Sequence, residues 1–115
     1  MGCLFCNILD GSVPSTMVYE DDNVYAFEDI NPQAPTHVLV IHRKHIKNLG
    51  ELNDENSRMM AELFLGVKKV ASIKGIDTEG YRVIINNGPA AGQVIWHLHI
   101  HILGGAPSLG PMLCV

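Results

Sequence analysis

The chain has little positive charge to offer. Eight Lys and Arg stand against twelve Asp and Glu, a formal net charge of −4 with histidine neutral. That balance disfavours duplex nucleic acid and anionic membrane surfaces as partners. A single nucleotide held in a local pocket stays open. No apolar run approaches the roughly 18 residues needed to span a bilayer. The start, MGCLFCNILDG, lacks the basic stretch and long apolar core of a secretory signal. Cysteine is scarce: Cys3, Cys6 and Cys114 are an odd, sparse set, unlike the disulfide framework of a small secreted protein. These absences lead us to expect a cytoplasmic protein. No internal repeat, low-complexity tract or linker interrupts the 115 residues, and that length fits one domain, 1–115. Apolar residues make up 47% and charged residues 17%, as in a folded chain and unlike a disordered one.

Against these absences stand clear patterns. CLFCNILDG reads as one short helix stopped by Gly11. MVYE (17–20) and NVYAFED (23–29) read as a hairpin with Asp21 and Asp22 in its turn. INPQAPT (30–36) carries two prolines and must be a loop. HVLVIHR (37–43) is the next strand. Leu52, Met59, Met60, Leu63, Phe64, Val67, Val70 and Ala71 then recur at three- and four-residue spacing, the stripe of an amphipathic helix. Asn53 is its expected N-cap, Asp54 and Glu55 suit the first turn, and Gly75 after Lys74 is a natural stop. YRVIIN (81–86) is a strand, NGPAAGQ (87–93) a small-residue loop, and VIWHLHIHIL (94–103) the last long strand. The tail GGAPSLGPMLCV is irregular. The expected fold class is α+β: a mostly antiparallel sheet of about five strands, a short N-terminal helix, and one long helix covering a sheet face.

The segment WHLHIHILGG holds His97, His99 and His101 at every second position. On a strand these imidazoles share one face, roughly 6.5–7 Å apart at the backbone, while Leu98, Ile100 and Ile102 share the other and meet the helix. Trp96 has the parity of Leu98 and reads as packing. Such a row admits three uses: a polar sheet face, a metal site, or nucleophilic catalysis in which one imidazole attacks and its neighbours orient it and move protons. Imidazole titrates near neutrality and can serve as nucleophile, acid and base. The preceding NNGPAAGQV supplies small residues whose backbone N–H groups can approach an anion, which favours a phosphate-bearing substrate. His37 and His42 read as strand histidines without a role.

HLHIHIL is similar to the signature of the histidine triad (HIT) nucleotide-binding superfamily. YEDDNVYAFEDINPQAPTHVLVI, KHI, GYRVIINN, GQVIWHLHIHILGG and LGPML resemble its Hint-like branch, the nucleoside phosphoramidases, over nearly the whole chain from about Cys6 to Leu113. The resemblance implies the HIT-like fold and two-step hydrolysis at the α-phosphorus of a purine nucleotide. The expected activity is that of an adenosine 5′-monophosphoramidase. His99 would attack phosphorus and carry a covalent nucleotidyl group, and water would release the monophosphate. By the same match His101 contacts the phosphate, while His97 and His45 support the site. Asp29 takes the ribose hydroxyls, and Phe27 and Ile30 line the base pocket. Asn86, Gly92 and Gln93 fall on the phosphate loop, with the backbone N–H of Val94 beside them. Val94 is a departure: the branch usually has serine there, and the missing hydrogen bond to a charged group is worth roughly 1.5–3 kcal/mol. The alternatives are a nucleotide- or zinc-binding regulatory module with weak turnover, and a dinucleoside polyphosphate hydrolase.

Cys3-x-x-Cys6 is a metal half-site, a redox pair or neither. No strand precedes it as in a redox βαβ unit. Some histidine triad proteins that resemble this one hold structural zinc on such a pair, the histidine of KHI and the first triad histidine. Mapped here, that set is Cys3, Cys6, His45 and His97. No cofactor is expected for the chemistry itself. The resemblance also implies a homodimer, with the long helix and its preceding strand at the interface and the C-terminal tail reaching the partner's site.

Overall fold

The computed structural model describes residues 2–111; Cys114 and the end of LGPML lie outside the described residues. Along the chain run α1 (Leu4–Leu9), β1 (Met17–Glu20), β2 (Val24–Glu28), β3 (Thr36–His42), α2 (Arg58–Ile73), β4 (Arg82–Ile84) and β5 (His99–Gly104). The five strands form one antiparallel sheet in the order β1-β2-β3-β5-β4. The fold is the expected α+β class. None of the helices among the described residues is long and apolar enough to cross a membrane.

Local chemistry explains the element ends. In the β1–β2 turn Asp21 Oδ1 accepts the N–H groups of Asn23 and Val24, both at 2.8 Å. The side chain closes the turn that the backbone alone would leave open. At the end of α2, Gly75 adopts φ +69° and Ile76 N–H reaches back to the Ala71 carbonyl at 3.0 Å. A left-handed residue there satisfies carbonyls the helix leaves free.

Alternation then sorts the sheet into two faces. β3 and β5 pair Val38 with Ile102 and Val40 with Ile100, and, on the other face, Leu39 with His101 and Ile41 with His99. Val24, Ala26, Val38, Val40, Leu98, Ile100 and Ile102 pack on Leu63, Val67, Val70 and Ala71 of α2. The helix comes close enough that a Cβ on Gly66 would meet Val24 Cγ2 at 3.0 Å. The opposite face carries a smaller core of Phe27, Leu39 and Ile41 capped by Phe5 and Ile8 of α1. His99 and His101 belong to this second face.

Three expectations need correction. The long helix begins at Arg58 rather than Asn53. Asn53 Oδ1 accepts from Glu55 and Asn56 N–H, so it caps a separate turn instead of α2. Phe64, placed in the apolar stripe, is 45% exposed; it lies at the margin of the face that meets the sheet. The last strand begins at His99, not Val94. Strand parity therefore does not reach Trp96, which is 41% exposed instead of packed beneath α2.

Ile100 is fully buried between sheet and helix. Ile100→Ala should cost about 2–5 kcal/mol, the transfer term plus the cavity. Denaturant unfolding checks this, and a loss below about 1 kcal/mol would mean the sheet–helix layer is not the main core.

Candidate active site

The α1 side of the sheet opens into a cavity of about 490 Å³. Its apolar wall is Phe5, Ile8, Phe27 and Leu39; its polar end carries Asp29, Asn86, His99 and His101, with Ile30, Gly92 and Val94 at the rim. Phe27 is buried, whereas Ile30 stands 92% exposed at the mouth. Asp29 directly follows β2 and is held in place by its own backbone, its N–H on the His37 carbonyl at 2.9 Å. Its Oδ1 accepts the Asn31 N–H at 2.8 Å, which leaves Oδ2 for the cavity side.

The fold gives His99 and His101 opposite tautomers. His99 Nδ1 lies 2.8 Å from the His97 carbonyl. A carbonyl only accepts, so Nδ1 carries the proton and Nε2 keeps a free lone pair. His101 receives the opposite instruction, through His37. The Gln33 N–H donates to His37 Nδ1 at 3.0 Å, so His37 carries its proton on Nε2. That proton points at His101 Nδ1, 2.9 Å away, which puts the His101 proton on Nε2. Asp29 Oδ2 lies 3.4 Å from His37 Nε2 and favours the same state. His99 and His101 stand side by side, ring centroids 5.1 Å apart. One offers a lone pair at its outer nitrogen and the other a proton.

His97 carries its proton on Nε2 as His101 does, but faces a different set of groups. It is 1% exposed, and its Nε2–H donates to the His42 carbonyl at 3.0 Å. Its Nδ1 lone pair faces Cys3 Sγ at 3.3 Å, Cys6 Sγ at 3.7 Å and His45 Nδ1 at 3.2 Å. Cys6 Sγ lies 3.4 Å from His45 Nδ1. These four ligand atoms all lie within 4.8 Å of one another, the spacing of donors around one tetrahedral zinc with bonds of about 2.0–2.3 Å. The neutral, correctly oriented His97 nitrogen with its other nitrogen on a carbonyl is the usual supporting arrangement of a metal-bound imidazole. Burial, then the neighbouring Cys3, pushes the Cys6 thiol up to about 11, a penalty that a bound cation reverses. The donor set therefore fits zinc.

The small-residue loop is less open than expected. Ala91 and Gln93 N–H both donate to the Gly88 carbonyl and Gly92 N–H to that of Pro89, so three amides expected to face an anion are taken up by the loop's own turn. Gly92 closes that turn at φ +85°. Gln93 is buried. Its side chain accepts from Gly88 N–H and donates to the Lys47 and Ile95 carbonyls, so it braces the loop. Val94 follows, 82% exposed, and its N–H donates to no group among the described residues. Reading the sequence alone missed His37 entirely. Its parity with Leu39 and Ile41 was a usable signal, because it placed His37 on one side of β3 and His42 on the other. His42 indeed faces α2, where it meets Glu62 at 2.8 Å.

The HIT domain family profile matches residues 10–108. An uncharacterized HIT-like protein of Synechococcus elongatus is 49% identical over 108 residues, covering 94% of each chain. The purine nucleoside phosphoramidase of Escherichia coli is 42% identical over 110 residues, 96% of this chain and 92% of that one. A HIT family hydrolase structure from Clostridium thermocellum superposes with a TM-score of 0.93 at 46% identity, covering 98% of this chain and 97% of that one.

Burial holds the triad neutral. It lowers His97 and His101 to about 4, and it lowers His99 as well. Between about pH 6.5 and 4 the unfolded chain thus binds more protons than the native one, so stability rises with pH. Metal-free protein should keep its full stability above pH 6.5 and lose it steadily as pH falls toward 4. Denaturant titrations at several pH values test this. His101→Asn should flatten the slope, and an unchanged slope would show that His101 is not held neutral by the fold.

Proposed function

The chain belongs to the HIT domain family, and we propose that it is a purine nucleotide hydrolase that cleaves P–N bonds, an adenosine 5′-monophosphoramidase working through a nucleotidyl-histidine on His99. The observation that carries this reading is the pair of opposed tautomers on one strand face, a free Nε2 on His99 beside an Nε2–H on His101.

In this reading the base lies against Phe5, Phe27 and Leu39, and the Asp29 carboxylate accepts from the ribose hydroxyls. His99 Nε2 attacks the α-phosphorus. A new P–N bond to histidine forms as the bond to the amine breaks. The leaving nitrogen takes one proton and departs as a neutral amine, and the Nε2–H of His101 is an acid on that face. Water then attacks the same phosphorus and gives its proton back to His101, the histidine P–N bond breaks, and AMP leaves with His99 and His101 restored. The Val94 N–H holds a non-bridging oxygen where charge develops. Neutral imidazole is the form able to attack, and burial keeps His99 in it.

Zinc on Cys3, Cys6, His45 and His97 would be a structural cross-link between the N-terminal segment and the sheet. All four ligands are then on the protein, which leaves no open position for substrate. A homodimer would cover α2 and the open edge of β4, where Phe64, Leu65, Ile73 and Val83 are exposed; β3, the strand before α2 that was expected there, is buried between β2 and β5. A second reading, a nucleotide-binding module with weak turnover, is favoured by one observation. Val94 offers no hydroxyl at the rim beside the phosphate site.

Turnover of adenosine 5′-phosphoramidate tests the proposal. His99→Ala should lower kcat by at least about a thousandfold while AMP still binds. Val94→Ser should raise kcat by about tenfold or more, the value of one hydrogen bond to a charged group. Equal inertness of wild type and His99→Ala, with AMP still bound, would leave the binding module. Metal analysis of the purified protein should give about one zinc per chain, and none would remove the structural cross-link.

A further inference from the structure

We propose that the Cys3–Cys6–His45–His97 cluster, when it holds its metal, sets the geometry of the nucleotide pocket and of His99 as well as tethering the N-terminus. The proposal rests on the nucleotide and zinc readings above. Two routes join the cluster to the reacting imidazole.

The first runs through α1. This helix has six residues, far too few to persist on its own. Cys3 is its N-cap, with Sγ accepting the Cys6 N–H at 3.3 Å. Phe5 lies between the two cysteines in sequence and is buried. Its ring stands edge-on to His99 at 5.0 Å and to Phe27 at 5.5 Å. Ligands flank Phe5 on both sides, so the pull that seats Cys3 and Cys6 on His97 also seats Phe5 on His99. Leu4, Phe5 and Ile8 are themselves cavity wall. If the ligands let go, α1 keeps Phe5 and Ile8, with the half-buried Leu9 beside them, to hold it on the sheet.

The second route runs through His97. Its ring is held at both nitrogens, by the His42 carbonyl and by the cluster. Its own carbonyl accepts the His99 Nδ1–H. The residue that would bind metal is therefore the residue that determines which nitrogen of His99 can attack. His97 and Phe5 act here as positioning residues. The larger core between sheet and α2 lies on the other face and does not include α1, so metal loss should loosen the pocket before it loosens the fold.

The test compares zinc-loaded, chelated and zinc-restored protein. AMP affinity is measured by calorimetry, and the His99 Nδ1–H by ¹⁵N-histidine NMR without nucleotide. Chelation should weaken AMP binding by about tenfold or more, and AMP should tighten zinc by the same factor. The His99 Nδ1–H signal should broaden or vanish and return with zinc, while the Ile100 methyl signals keep their native shifts. Phe5→Leu retains all four ligands; it should keep its zinc and show a smaller coupling factor. Zinc uptake with unchanged AMP affinity and an unchanged His99 signal overturns the proposal alone. Failure to take up zinc overturns it together with the metal reading. If zinc-loaded protein binds no AMP, the nucleotide reading fails, and the His99 signal decides: unchanged on chelation, it overturns the coupling as well.

Discussion

The hydrogen bond from His99 Nδ1–H to the carbonyl of His97 is the constraint on which the site depends. A histidine can attack phosphorus only through an unprotonated nitrogen, and in water the two tautomers interconvert freely. Here a backbone carbonyl two residues away removes that freedom, because it can only accept. The strand must start just after His97 for the geometry to exist, and β5 does begin at His99. What looked like a continuous histidine strand is a turn delivering a carbonyl, followed by a strand that presents His99 with its Nε2 free.

The rest of the architecture serves that bond. Pairing of Ile41 with His99 and Leu39 with His101 keeps both rings on the face away from α2. The same pairing sets His37 beside His101, so a relay that starts at the Gln33 N–H fixes the second tautomer in the opposite sense. Burial adds the remaining condition: desolvation disfavours imidazolium more than any neighbour restores it, and all three triad rings are held below their ordinary value. The large apolar core on the other face supplies the rigidity, which a cavity of this kind requires if its reacting atoms are to stay aligned.

Much of this was legible in the sequence, for identifiable reasons. Alternation in HLHIHIL separated His99 and His101 from Ile100 and Ile102, because a strand's period leaves no other arrangement. The α2 stripe and the hairpin at Asp21 were equally readable. The helix start was not. Asn53 is a good cap in either a helix or a free turn, and only the following hydrogen bonds distinguish them. Trp96 was misplaced for a related reason: β-branched composition continues past the true strand end. His37 was visible by parity but had no assigned neighbour, since nothing local says that β3 pairs with β5. The tautomers were beyond sequence reading altogether, because they depend on carbonyls and amides that any residue supplies. Gln93 illustrates the same limit, a loop side chain whose partners are backbone groups at Gly88, Lys47 and Ile95.

The central claim is that His99, through Nε2, is the atom that bonds to phosphorus. Rapid acid-free quenching of the protein with adenosine 5′-phosphoramidate, followed by proteolysis and mass spectrometry, tests it most directly. The expected result is one adenylyl group on the peptide that contains the triad, with fragmentation placing it on His99. An adenylyl group on His101 or His97, or AMP release with no protein-bound intermediate at any time, would contradict it.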